Sequence, residues 1–268
     1  MRVITAIAVN VFRESVRDKV LYNLVLFAVL LIAASFLLGQ LTAGQDAKII
    51  KDLGLAATSL FGLFIAVFIG IGLVWKEVER RSIYSLLAKP IPRPTFVLGK
   101  YLGLVLTLAV NIAIMGAALY AVLAYMHWAT PEQIRRTWEA PATDPALLAA
   151  IALIFVQLAL VTAIALFFST FSSPLLSAVF TFSLFIVGHF GADLKHFENV
   201  VESRPVVYLA RAVYYLLPNL APFDVKAQVV HGQPLAAGYI GLSVAYAVVY
   251  TGALLLAAVL VFSRRDFK

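Results

Sequence analysis

Apolar positions dominate this chain in long unbroken runs, and polar positions are gathered into short islands between them. The runs are Val20 to Leu41, Leu55 to Trp75, Tyr101 to Met126, Leu147 to Thr170, Leu175 to Asp193 and Ala236 to Phe262. At ~1.5 Å of rise per residue each reaches about 27 Å or more as a helix, close to the roughly 30 Å of a hydrocarbon core. The pattern predicts an all-α integral membrane protein with six transmembrane helices, which places both termini on one side.

Ahead of the first run, Ile4, Ile7, Ala8, Val11 and Phe12 recur at helical spacing, while Asn10, Arg13, Glu14 and Arg17 fall mostly elsewhere. Residues 1–18 therefore read as an amphipathic helix lying in the membrane surface, with a frayed tail as the alternative. The charges in this stretch and the length of the run behind it argue against a signal peptide. Ser172 or Ser173 is placed to cap the fifth span, and Pro174 suits its first helical position. Residues 194–235 are neither plainly soluble nor apolar enough to span. Arg204, Tyr208, Arg211 and Tyr215 recur there at helical spacing between Pro205 and Pro218, which suits short helices dipping into the outer leaflet or a folded external loop. Trp128 to Pro145 reads as a polar external loop.

The most unusual island runs from Trp75 to Gly103, WKEVERRSIYSLLAKPIPRPTFVLGKYLG. Glu79 to Ala88 is compatible with a short helix exposing Arg80, Arg81, Tyr84 and Lys89 beside apolar Ile83, Leu86 and Leu87. Pro90, Pro92 and Pro94 then predict an extended exit before a helix resumes at Phe96. A solvated loop touching lipid phosphates would explain the basic residues but not the apolar run Ile83 to Leu87. Gly62, Ala66 and Gly70 in the second span, and Gly99 and Gly103 at the start of the third, form small-residue stripes that permit close helix packing.

Composition agrees: 62% of the 268 residues are hydrophobic, and the mean hydropathy is +0.94. The net charge of +7 reports orientation, not nucleic-acid binding, because the basic residues sit beside apolar runs. Thirteen Lys and Arg lie at the termini and in the Trp75–Gly103 island, against eight spread over the opposite loops. The positive-inside tendency then makes the termini and the island cytoplasmic. The absence of cysteine excludes disulfides, thiolate metal sites and a cysteine nucleophile.

Catalytic signatures are missing. There is no GxSxG and no HExxH, and Gly99-Lys100 has proline at position 94, where a phosphate-binding loop needs glycine. No ATP site, cofactor or metal is expected in this chain, since His127, His189, His196 and His231 share no ligand spacing. Glu77 and Glu79 point apart on a helix and read as part of an ionic face. Asn111 and Gln157, the most central polar groups in the spans, are the candidates for lining a pathway, with interhelical hydrogen bonding as the plainer role. An ion-driven transporter would call for a charged residue at mid-span, and the runs hold none.

The island KEVERRSIYSLLAKPIPRPTFVLGKYLG, together with YYLLPNLAPFDVK at Tyr214 to Lys226 and the tail FSRRDF, closely resembles ABC-2 type transporter permeases, nearest those grouped with multicopper enzyme maturation systems. The resemblance implies the membrane half of an ABC exporter, a dimer with a second permease copy that docks two separate ATPase subunits supplying ATP and Mg chemistry. Ile4 to Arg17 would be the elbow helix, and the segment after the fifth span the re-entrant external helices. Glu79, Arg80, Arg81, Ser82, Ile83, Tyr84 and Leu87 would couple to the ATPase through a cytoplasmic coupling helix. It further implies a half-system in a prokaryotic cytoplasmic membrane; the Trp128 to Pro145 insert departs from the family by its length, which suits an external partner. The rival is a membrane scaffold that transmits ATPase motion to such a partner without moving solute.

Overall fold

A computed structural model describes residues 2–41, 45–79, 92–136, 138–190, 206, 208 and 217–264. All regular structure among them is helical: α1 Arg2–Val16, α2 Lys19–Gln40, α3 Asp46–Glu79, α4 Arg93–Ala129, α5 Glu132–Arg135, α6 Ala146–Ser169, α7 Pro174–His189, a 3-10 turn at Ala221–Phe223, α8 Lys226–Val230 and α9 Ala237–Arg264. The protein is an all-α integral membrane protein. Five helices, α2, α3, α4, α6 and α9, are long and apolar enough to cross a bilayer. The predicted fifth span is α7, whose 16 residues reach only about 24 Å.

Burial sorts these helices into layers. Most of the α3 and α6 spans is buried, against 22% of the α2 span and 17% of the α9 span. A helix apolar on every side belongs at the centre of a bundle, and α6, with Leu153, Leu158, Leu160 and Val161 all fully enclosed, fits that place. Leucine and valine cover the outer faces of α2 and α9, including Leu30, Leu37, Leu242, Val249 and Leu256. In a membrane protein those faces meet lipid.

The glycine stripe of α3 is explained by its neighbours. A Cβ on Gly62 would lie 2.4 Å from Leu158 of α6 and 3.0 Å from Ile112 of α4, and one on Gly70 would meet Ala165 at 3.1 Å. Helix packing is thus the role of Gly62, Ala66 and Gly70. Gly54, outside the stripe, admits Leu119 in the same way.

Helix boundaries differ from the sequence pattern in two places. The helix expected to begin at Phe96 starts at Arg93, with Pro92 as its N-cap and Pro94 in its first turn. A first-turn proline lacks only an N–H that would have no intrahelical partner, so Pro94 starts the helix instead of delaying it. The second and third spans also extend well past their apolar cores. α3 has 34 residues and α4 has 37, or about 51 and 55 Å, and their polar ends stand beyond the hydrocarbon. At α7 the expected cap is present: Ser173 accepts from Leu176 N, and Pro174 opens the helix.

Candidate functional site

One end of the bundle gathers α1, the end of α3, the start of α4 and the end of α9. Asp18 caps α2 by accepting a hydrogen bond from Val20 N at 2.9 Å, which separates α1 from α2 and lets α1 fold back on α4. The face predicted from Ile4, Ile7, Ala8 and Val11 makes that contact. A Cβ on Gly99 would lie 2.8 Å from Ile7, and one on Gly103 would lie 2.6 Å from both Ala8 O and Val11 Cβ. These glycines therefore seat α1 against the α4 backbone.

The same turns of α4 grip α9. Arg93 Nη1 donates to Phe262 O at 3.2 Å and to Ser263 O, two carbonyls in the last described turn of α9. Phe96 stacks on Phe262 at 5.9 Å, and Lys100, 1% exposed, sets its ammonium 5.3 Å from the Phe96 ring centroid. Val11, Val97, Leu104, Leu166, Leu255, Ala258 and Phe262 form a core cluster of their own here. The sequence counted Arg93 and Lys100 only as positive charge. Their positions, Arg93 at the first residue of a proline-opened helix and Lys100 about two turns into it, were the available signal of a packed role.

Of the proposed coupling residues, Glu79 is the last residue of α3. Arg80, Arg81, Ser82, Ile83, Tyr84 and Leu87 lie outside the described residues. The two ends from which this island hangs are described: it leaves α3 at Glu79 and rejoins the α1–α4–α9 block at Pro92.

Asn111 and Gln157 are 4% and 2% exposed, and each has a hydrogen-bond partner inside the bundle. Asn111 Nδ2 donates to Thr107 O of its own helix at 2.6 Å. Gln157 Nε2 lies 2.9 Å from His189 Nε2, and His189 Nδ1 lies 2.8 Å from Phe185 O. A neutral imidazole protonated at Nδ1 satisfies both contacts, accepting from the amide and donating to the carbonyl. Gln157 thereby ties α6 to the end of α7. The His189 partnership was invisible in sequence because 32 residues separate it from Gln157.

The opposite end is closed by a cap. Here Lys51, 1% exposed, donates from Nζ to Pro141 O at 2.6 Å. Glu139 receives Lys48 at 3.8 Å and His231 at 3.2 Å. Tyr120 Oη donates to Asp144 O at 3.0 Å, and the Asp144 carboxylate accepts from Ala146 N at 2.8 Å at the head of α6. Gly232, with φ of +67°, presses against Ala140, where a Cβ would approach to 2.8 Å. The insert expected as a loop is thus a packed lid bearing α5. The 194–235 segment joins it from residue 217 onward, with Leu220, Phe223, Val225, Val229 and Val230 buried in the main core. Beside the cap, Trp128 is 81% exposed and lies 6.2 Å from Tyr125, which meets Phe36 edge-on. Such aromatics favour the boundary between lipid and water.

No curated protein matches this chain. A family model described as "ABC-2 family transporter protein" matches residues 5–267. That match is to the family at large and does not single out the multicopper-maturation group. It begins within α1, takes in both ends of the bundle and runs into the tail, and the chain therefore belongs to the ABC-2 family of transporter proteins.

Proposed function

We infer that the chain serves as a multi-pass permease subunit of an ABC transporter, a type of subunit whose ATPase generally resides in a partner chain. We propose that it exports its substrate from the cytoplasm of a prokaryote, as one of two permease copies served by two ATPase subunits. The island from Glu79 to Leu87 docks in the ATPase, and the termini lie on the same cytoplasmic side. α7 completes a sixth crossing, its short length being met by local thinning of the bilayer. Substrate passes between the two permease copies, which fits a protomer whose central amides are already hydrogen-bonded internally.

The observation that carries this reading is the mechanical frame around the island. On one side stands α3, a single helix whose N-terminal turns hold the cap through Lys48 and Lys51 and whose C-terminus is Glu79. On the other stands the α1–α4–α9 block, fixed by Arg93, Phe96 and the two glycine contacts. Displacement of the island relative to the membrane must move one of these against the other, and packed helices shift between discrete arrangements instead of deforming smoothly. Replacing Arg81 and Tyr84 together tests it. The expected result is loss of ATPase co-purification and of ATP-driven transport, and unchanged ATPase binding with unchanged transport removes the island from the mechanism.

The uninterrupted α3 also favours a second reading, transmission of ATPase motion to a partner outside the membrane without solute flux. That reading requires a nucleotide-dependent change at the cap. Because the chain has no cysteine, Glu139→Cys gives a single thiol there. Labelling at a rate independent of ATP would argue against mechanotransmission.

A further inference from the structure

Where the lid meets the head of α3 and the tail of α4 lies a cavity of about 200 Å³, lined by Asp46, Ile50, Met126, Ala129, Pro131 and Ile134 among others. We propose that the lid has a second position, in which Arg135 leaves His127 and pairs with Asp46 across this space, drawing α5 onto the head of α3. Such a latch operates in the chain alone, whether or not an ATPase docks at the other end.

The lid is incompletely bonded where it sits. Among the described residues three buried side-chain atoms have no hydrogen-bond partner, Asp46 Oδ1, Arg135 Nε and Trp138 Nε1, and all belong to this end of the bundle. Leaving a buried polar group unpaired costs more than an ordinary hydrogen bond returns, so an arrangement that pairs any of them is favoured by that difference. Two of the three are donors and one is an acceptor. Arg135 and Asp46 are complementary in charge as well.

Neither group has an ion pair among the described residues. The acids nearest Arg135 in sequence are committed elsewhere: Glu132 is held by Arg136 at 2.6 Å, and Glu139 receives Lys48 and His231. The guanidinium rests instead on an imidazole, with Nη1 2.7 Å from His127 Nε2, and an uncharged acceptor is a weaker partner for a cation than a carboxylate is. A lysine three or four residues along α3 would pair with Asp46, but those positions are Ile49 and Ile50. Lys48 and Lys51 turn to Glu139 and Pro141 O. Asp52, the other acid in the first turns of α3, is exposed and lies about 120° around the helix from Asp46, away from the cavity.

The fold puts the two groups on facing walls. Arg135 is one turn beyond Pro131, to whose carbonyl its N–H donates at 3.1 Å. Pro131 and Ile134 form the lid side of the cavity, and Asp46 and Ile50 form the α3 side. A bidentate pair with a carboxylate uses two N–H groups of the guanidinium fork, so it can engage the buried Nε that now has no acceptor. Packed elements move between discrete arrangements, and the cavity gives this one its room.

Maleimide labelling of Ala129→Cys in the full chain, held in lipid nanodiscs without ATPase, tests the latch, because Ala129 lines the cavity and the chain has no cysteine of its own. His127→Phe keeps a ring against Trp138, 6.4 Å away, and removes the acceptor that holds Arg135. It should favour the closed lid and slow labelling about fivefold, the scale of one net hydrogen bond. Adding Asp46→Asn, or separately Arg135→Gln, should restore the original rate. A lid merely loosened by loss of His127 would label faster instead. Labelling unchanged or accelerated by His127→Phe overturns the proposal, as does slowing that persists in either double variant. Spin labels at Gln40→Cys and Gln133→Cys, both exposed, check it with His127 in place. They should give two distance populations, the shorter one lost with Asp46→Asn, and a single population unchanged by that substitution also overturns the latch.

Discussion

Gly103→Ala adds one methyl group at the closest helix contact in the protein's terminal end, and its effect can be worked from geometry. The new Cβ would lie 2.6 Å from Ala8 O and from Val11 Cβ, about 0.8 Å short of the 3.4 Å at which ordinary contact begins. Ala8 O belongs to backbone, so no rotamer change relieves the clash, and α1 must rise off α4. Overpacking of this kind costs about 1–3 kcal/mol, while replacing a helix-interior glycine returns up to roughly 1 kcal/mol. The net cost of about 0–2 kcal/mol falls on the seating of α1, because the main core through α3 and α6 is not touched. Gly103→Leu enlarges the same clash and should unseat α1 outright. The assay uses Val11→Cys as the only thiol, since Val11 is 2% exposed and the chain has no cysteine. Its maleimide labelling should be slow in that background and accelerate at least tenfold with Gly103→Leu. Gly241→Ala, at a site where a Cβ meets nothing within 4 Å, should leave the rate unchanged. Slow labelling of Val11→Cys in the Gly103→Leu background would refute the seating of α1 on α4.

Other changes probe the remaining contacts. Arg93→Ala removes the donors to Phe262 O and Ser263 O and should destabilise the last turn of α9 by about 1–2 kcal/mol, read as faster amide exchange confined to residues near Phe262. Gln157→Leu leaves His189 Nε2 without its donor and should lower stability by about 1–2 kcal/mol with the transport rate per folded molecule unchanged; altered substrate selectivity would place Gln157 on the pathway. Ser173→Ala should cost about 1 kcal/mol by removing the cap of α7, and Ser173→Asn should restore it.

Periodicity made the helices legible, since each apolar run is a membrane-length block with its own polar punctuation. It also placed the α7 cap and the apolar face of α1, although that face, read as meeting the membrane surface, packs on α4. What it missed follows from the physics of long-range contact. The apolar runs mark where hydrocarbon lies, not where a helix stops, so the polar ends of α3 and α4 and the early start at Arg93 escaped it. Lys48, Glu139 and His231 come together only because the lid and the 217–232 segment fold over the N-terminus of α3, and no local spacing encodes that. Gln157 and Asn111 were found as central polar groups, yet polarity alone does not separate an internal tie from a pathway lining.

The central claim is that an ATPase grips the island between Glu79 and Pro92 on the cytoplasmic side. A photo-crosslinking amino acid in place of Tyr84, activated in native membranes, tests it most directly. The account predicts a covalent adduct with an ATP-hydrolysing protein, shielded from reagents outside the cell and altered in yield by nucleotide. An island that reacts with a membrane-impermeant reagent from the exterior, or one that yields no adduct with any ATPase, would contradict it.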